Sequence, residues 1–129
     1  LRTHKIHLVP YTKIFRSRHN LEDEVYLLKG DIMFKKRNYV EALANYEKVY
    51  TSFSTDLLAD DALFKAANIY EYRLKENEKA LVLLEKLILE HQSSVFSVDA
   101  RNRYRVFREQ YPEKEKSKAE EFFETDGNP

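Results

Sequence analysis

The chain has 129 residues, 43% of them apolar, and a mean hydropathy of −0.66, which is the length and polarity of one soluble globular domain. Lys plus Arg and Asp plus Glu stand at 22 each, so net charge gives no reason to expect nucleic acid or an anionic membrane as partner. The absence of cysteine excludes a disulfide frame and a thiolate metal site, and no run of 18 apolar residues offers a membrane span.

Two Gly and three Pro in a chain rich in Leu, Ala, Glu and Lys favour an all-α protein, and no sustained strand alternation is present. The chain begins at Leu1 with no signal-peptide pattern, and it reads as part of something longer. Residues 1–19 form a flank of mixed character. Pro10 would break a helix interior, YTKIFRSRH after it suits two helical turns, and Arg2, Lys5, Lys13, Arg16 and Arg18 face no acid. By repeat phase this flank corresponds to the second helix of a preceding unit.

Asn20 is the expected N-cap of a helix running to about Lys36, with Glu22, Asp23 and Glu24 complementing its positive end. Arg37-Asn38 makes a turn, and Asn38 caps a second helix from Tyr39 to about Phe53 with the stripe Ala42, Leu43, Tyr46, Val49. SFSTD is a loop. A third helix from near Leu57 carries Leu63, Ala66, Ala67, Tyr70 and Leu74. After KEN, a fourth from about Glu78 to His91 carries Ala80, Leu84, Leu87 and Ile88. Ser94 is the expected cap of a fifth helix reaching about Gln110, with Phe96, Ala100, Tyr104 and Phe107 on one face; Pro112 stops it. Residues 112–129 are a charged tail around Phe122-Phe123, expected to dock weakly if at all.

Residues 21–53 and 58–91 are two copies of one pattern. Leu21 falls on Leu58 and Gly30 on Ala67, both 37 residues apart; Ala42 then falls on Ala80, 38 apart, so one residue is inserted between. Self-similarity at a period of roughly 20–50 residues signals a solenoid whose units bury their apolar faces by stacking. The small residues Gly30/Ala67 and Ala42/Ala80 stand where two helix backbones would approach closely. Aligned in the same way, the fifth helix has Arg105 at the Gly30/Ala67 position, so no partner helix is expected to follow it.

Tyr26, Gly30, Tyr39, Ala42, Tyr46 and Val49, repeated as Leu63, Ala67, Ala80, Leu84 and Leu87, resemble the tetratricopeptide repeat, a helix–turn–helix unit of about 34 residues. Lys29 departs from that pattern at a normally apolar position. The resemblance implies a right-handed α-solenoid of two hairpins plus a capping helix over residues 20–111. The segment SVFSVDARNRYRVFR also resembles the close of bacterial outer-membrane-assembly lipoproteins and of the periplasmic Tol–Pal coordinator, which implies a periplasm or cell-envelope setting over the cytoplasm.

The family's first helices line a concave groove. Carried over, its positions are Glu24, Leu27, Asp31, Phe34 and Lys35, then Asp61, Phe64, Asn68, Glu71 and Tyr72. Leu27, Asp31, Phe34, Phe64, Asn68 and Tyr72 are the expected binding residues for a protein partner's peptide or helix, with Phe34, Phe64 and Tyr72 as exposed anchors. Self-association through the N-terminal edge is the other expected contact, since solenoids generally need about three repeats.

Other chemistry is thinly supported. His4 and His7 lack the further converging ligands that a metal needs, so neither metal nor cofactor is expected. Asp23-Glu24 and Asp60-Asp61 are neighbours that diverge by about 100° on a helix, so each pair complements a helix dipole rather than forming a catalytic dyad. His19 and His91 fall near expected helix ends. No nucleophile elbow, phosphate loop or zinc motif occurs, and the chain is not expected to be an enzyme. The alternative is RNA or phosphate binding through Arg101, Arg103, Arg105 and Arg108; helical spacing of the neighbouring aromatics favours a core stripe with a solvated face instead.

Overall fold

The computed structural model describes residues 11–53 and 57–112, with side chains from Leu21 onward. The expectations for His4, His7 and Phe122-Phe123 lie outside these residues. The described residues form helices and turns only: α1 (Tyr11–Lys35), α2 (Tyr39–Ser52), α3 (Ala59–Asn68) continued by a π-helical turn (Ile69–Arg73), α4 (Asn77–Glu90) and α5 (Ser97–Gln110). Each helix packs on the next in chain order. That is the nearest-neighbour arrangement of an all-α helical repeat.

The first departure from expectation is α1. It does not start at Asn20 but runs unbroken from Tyr11, one residue after Pro10. A mid-helix Asn costs only a few tenths of a kcal/mol against a good helix former, too little to end a helix whose neighbours on both sides favour it. The residues read as a separate preceding helix are therefore the first half of α1. His19 and the pair Asp23-Glu24 lie inside the helix, so that pair complements no helix end. Asp60-Asp61 does occupy the first turn of α3.

The hairpin turns follow from capping chemistry. Arg37 at φ 61° lets its own N–H reach the Phe34 carbonyl (2.9 Å) and the Asn38 N–H reach that of Met33 (2.9 Å), closing α1 with a Schellman pair. The Asn38 side chain then accepts from the Glu41 N–H at 3.3 Å, the cap expected from the sequence. In the second hairpin Lys75 takes the Arg37 role at φ 57°, and the Glu76 N–H reaches back to Tyr70 at 2.8 Å. That reach is one residue wider, because the π-helical turn before it, closed by Leu74 N–H to the Ile69 carbonyl at 3.0 Å, has absorbed the extra residue of the second copy.

Ser94 differs too. Its hydroxyl accepts from the Phe96 N–H (3.1 Å) in a short turn, and α5 begins three residues later with Phe96 at the cap position.

The core is a single seam. Ala42, Tyr46, Val49, Ala62, Leu63, Ala66, Ala67, Leu84, Leu87, Ile88, Ala100 and Tyr104 are buried together. Ala42, Ala67 and Ala80 are closed to solvent, while Arg105 is exposed on α5. At the α1–α2 crossing a methyl group added to Gly30 would come within 2.6 Å of Cδ1 of Tyr46 and nearer still to Cε1. Overpacking of this kind costs about 1–3 kcal/mol, against about 1 kcal/mol that Ala gains over Gly in a helix.

Gly30→Ala is therefore expected to lower unfolding stability by about 1 kcal/mol in urea melts, and to become neutral or stabilising in a Tyr46→Leu background. A stabilising Gly30→Ala in the parent chain would mean that the crossing is loose.

Candidate functional site

Three alternate helices, α1, α3 and α5, are tied to one another by polar groups on one side of the array. Asp31 on α1 receives Nζ of Lys65 on α3 at 2.9 and 3.0 Å, and Lys65 also lies 3.5 Å from Asp61. The same Asp31 Oδ1 accepts the Tyr46 hydroxyl at 2.5 Å from the far side of the α1–α2 crossing. One carboxylate thus joins three helices.

The second tie is Arg103. It projects from α5, donates from Nε to Glu71 at 2.9 Å and from Nη1 to Asn68 Oδ1 at 2.8 Å, and makes its closest contact through Nη2 to Glu71. Its guanidinium carbon lies 5.5 Å from the Phe64 ring centroid and 5.2 Å from that of Tyr72. A planar cation with a fixed fork suits this combination of a carboxylate, an amide and two π-faces. Asp99, one turn back, adds a contact at 3.6 Å.

The expected groove residues sit around these ties. Asp31 and Asn68 are both present, but each is already engaged by a cation of the neighbouring helix. Leu27 and Phe34 are half-buried, Phe34 beside Tyr39 (5.9 Å) and beneath Arg73 (5.5 Å). Phe64 is not the exposed anchor expected: its ring stacks on Phe96 at 4.4 Å, with Arg103 against it. Tyr72 is exposed over 54% of its surface. It stands in the π-helical turn, where the extra residue shifts its phase relative to Phe64 and Asn68.

Sequence reasoning missed Arg103 as a member of this surface, having grouped it with its basic neighbours. In helical phase, Arg101, Arg105 and Arg108 flank the buried stripe Ala100, Tyr104, Phe107 on one side and Arg103 flanks it on the other. The four arginines therefore do not make one basic face. A hollow of about 390 Å³ lies between the α3–α4 turn and the end of α5, lined by Lys75, Glu76, Lys79, Phe107 and Tyr111. None of the expected groove residues lines it.

Burial and electrostatics tie the Tyr46 phenol to its neutral form: desolvation, then the hydrogen bond to Asp31 and the nearby carboxylates, push its pKa up. Tyr50 is pushed up to about 12, mainly by burial and then by Glu47. Among the described residues no cluster of three or more His, Cys, Asp or Glu is placed to hold a metal, and no helix is long and apolar enough to cross a membrane.

Residues 61–94, covering most of α3, the π-helical turn, α4 and the loop after it, match the family model of the tetratricopeptide repeat. The second hairpin is thus similar to a repeat whose general role is to mediate protein–protein interaction. No curated protein and no solved structure matches the chain.

Both shifted phenols are protonated in the folded state beyond the ordinary value of 10.0, so the stability they contribute is complete below pH 10 and is lost as pH rises towards and past about 12. Unfolding free energy is expected to fall over that window, by up to about 1.4 kcal/mol per pH unit for each phenol. The fall should be shallower in Tyr46→Phe/Tyr50→Phe, as followed by urea melts at alkaline pH. Equal slopes in the two proteins would contradict the assignment.

Proposed function

We propose that the chain is a non-catalytic protein-interaction module that holds a peptide or helix of a partner protein along the surface formed by α1, α3 and α5. The observation that carries this reading is Tyr72. A large aromatic side chain left more than half exposed, yet held against Arg103 and Glu71 by the π-helical turn, has the character of an interface anchor: rigid, amphipathic and already positioned. Phe34 with Arg73 above it gives a second aromatic–cation pair on the equivalent part of the first hairpin.

The polar groups of Asp31 and Asn68 act in this reading by holding the helices in line, and the ligand contacts fall mainly to Phe34, Tyr72 and the rim of Leu27 and Phe64. The resemblance of residues 94–108 to envelope repeat proteins suggests a setting in the bacterial cell envelope. Binding of RNA or phosphate through Arg101–Arg108 is the weaker reading, because Arg103 is committed to Glu71 and Asn68.

The test is selection of binders from a displayed random-peptide library on the whole chain, followed by affinity measurement on variants. Peptides are expected to lose at least about tenfold in affinity on Tyr72→Ala and on Phe34→Ala, and to be indifferent to Val82→Ala on α4. Peptides that bind both groove variants as well as the parent would move the interaction elsewhere. Retention by polyanions that weakens steeply with salt and is lost on Arg101→Ala/Arg105→Ala would favour the arginine reading.

A further inference from the structure

Helix α1 has two apolar faces, and only one is used. Tyr26, Gly30 and Met33 pack towards α2, while Leu21, Val25, Leu28 and Ile32 stand on the opposite side, exposed by 58%, 47%, 60% and 41%. Their spacing of four, three and four residues is that of a coiled-coil seam, with Leu21 and Leu28 at d and Val25 and Ile32 at a. Carried back along the sequence alone, the same phase falls on Arg18 at a, then Ile14 at d and Tyr11 at a. α1 is 25 residues long where α2, α4 and α5 have 14 each, so the helix is long enough to carry three heptads.

The internal repeat gives this face a counterpart in α3. The equivalents of Val25, Lys29 and Ile32, at a spacing of 37, are Ala62, Ala66 and Ile69, all wholly buried in a helix packed on α2 before it and α4 after it. Close stacking of one hairpin on another uses two alanines there. In α1 the same places hold a valine and a lysine, too large for that approach but suited to the wider spacing of a two-stranded seam. β-Branched residues at a with Leu at d favour two parallel strands.

The flanking charges agree on orientation. In a parallel pair each g residue meets the e residue five positions on in the partner, which sets Glu24 against Lys29, opposite in sign; the next such position, Asp31, is already bound to Lys65. Glu24, Lys29 and Lys36 are exposed and Asp31 is half-exposed. In an antiparallel pair Glu24 would meet Asp31, like against like, while Lys29 would meet Glu22.

We propose that two copies of this chain associate through α1 as a parallel, in-register helix pair along Leu21, Val25, Leu28 and Ile32, guided by Glu24 and Lys29. The pairing rests on the exposed apolar stripe of α1, so it stands whether or not the peptide-binding reading holds.

Sedimentation equilibrium of the full chain at high micromolar concentration is expected to find a dimer. Leu28→Glu should abolish it while circular dichroism stays helical, because Leu28 is 60% exposed. Glu24→Lys and Lys29→Glu alone should each weaken dimerisation roughly fivefold, and an equimolar mixture of the two should recover it as a heterodimer. Since the chain has no cysteine, Leu21→Cys reports orientation. A parallel pair oxidises to a disulfide dimer, whereas an antiparallel pair with Val25 opposite Leu28 keeps the two sulfurs about 16 Å apart along the axis. A monomeric parent chain, a Leu28→Glu dimer or charge variants that ignore one another would each overturn the proposal; the first would leave the stripe to a helix of another protein.

Discussion

The arrangement depends on how closely α1 and α2 cross at Gly30. Only with no side chain there can the Tyr46 ring lie flat against the α1 backbone and pass its hydroxyl to Asp31 on the far flank. Asp31 then has an oxygen pair aimed at Lys65 of the next hairpin. A steric allowance inside the first hairpin is thus converted into an electrostatic link to the second. The buried alanines Ala62, Ala66 and Ala67 give α3 the same freedom of approach on both of its faces. These contacts are local in sequence and sequential in space, which is why two hairpins and one closing helix are enough to define a continuous seam.

The extra residue of the second copy has a structural destination. A residue inserted in a loop would leave both helices in phase and change only the turn. Placed inside the helix as a π-helical turn, it keeps α4 in register on α3, with Ala80 on the Ala42 position, while rotating Glu71 and Tyr72 relative to Asn68. Glu71 comes to face Arg103, and Tyr72 is held beside that arginine and largely open to solvent. The irregularity therefore builds the exposed end of the candidate groove out of what would otherwise be one more helical turn.

Much of this was legible from residue spacing. The two copies, the small residues at the crossings, the Asn38 cap and the exposure of Arg105 all rest on periodicity and capping, which are properties of short stretches. The two misread helix starts share one cause: a polar residue able to cap was taken to do so. Asn20 is carried through by a helix that continues past it, and Ser94 spends its hydroxyl on a turn two residues long before α5 starts. The change of period from 37 to 38 announces an inserted residue without saying whether helix or loop takes it. The chemistry around Asn68 and Asp31 was not legible, because the partners that occupy them come from 35 and 34 residues further along the chain.

The account's central claim is that both hairpins and α5 share one seam and so behave as one cooperative unit. Native-state amide hydrogen exchange along the chain tests this most directly. The slowest amides of α2, α3 and α4 are expected to exchange with a common opening free energy equal to that of global unfolding, with faster exchange at the ends of α1 and α5. Amides of residues 21–53 that open separately from those of 58–110 would mean two independent hairpins and would contradict it.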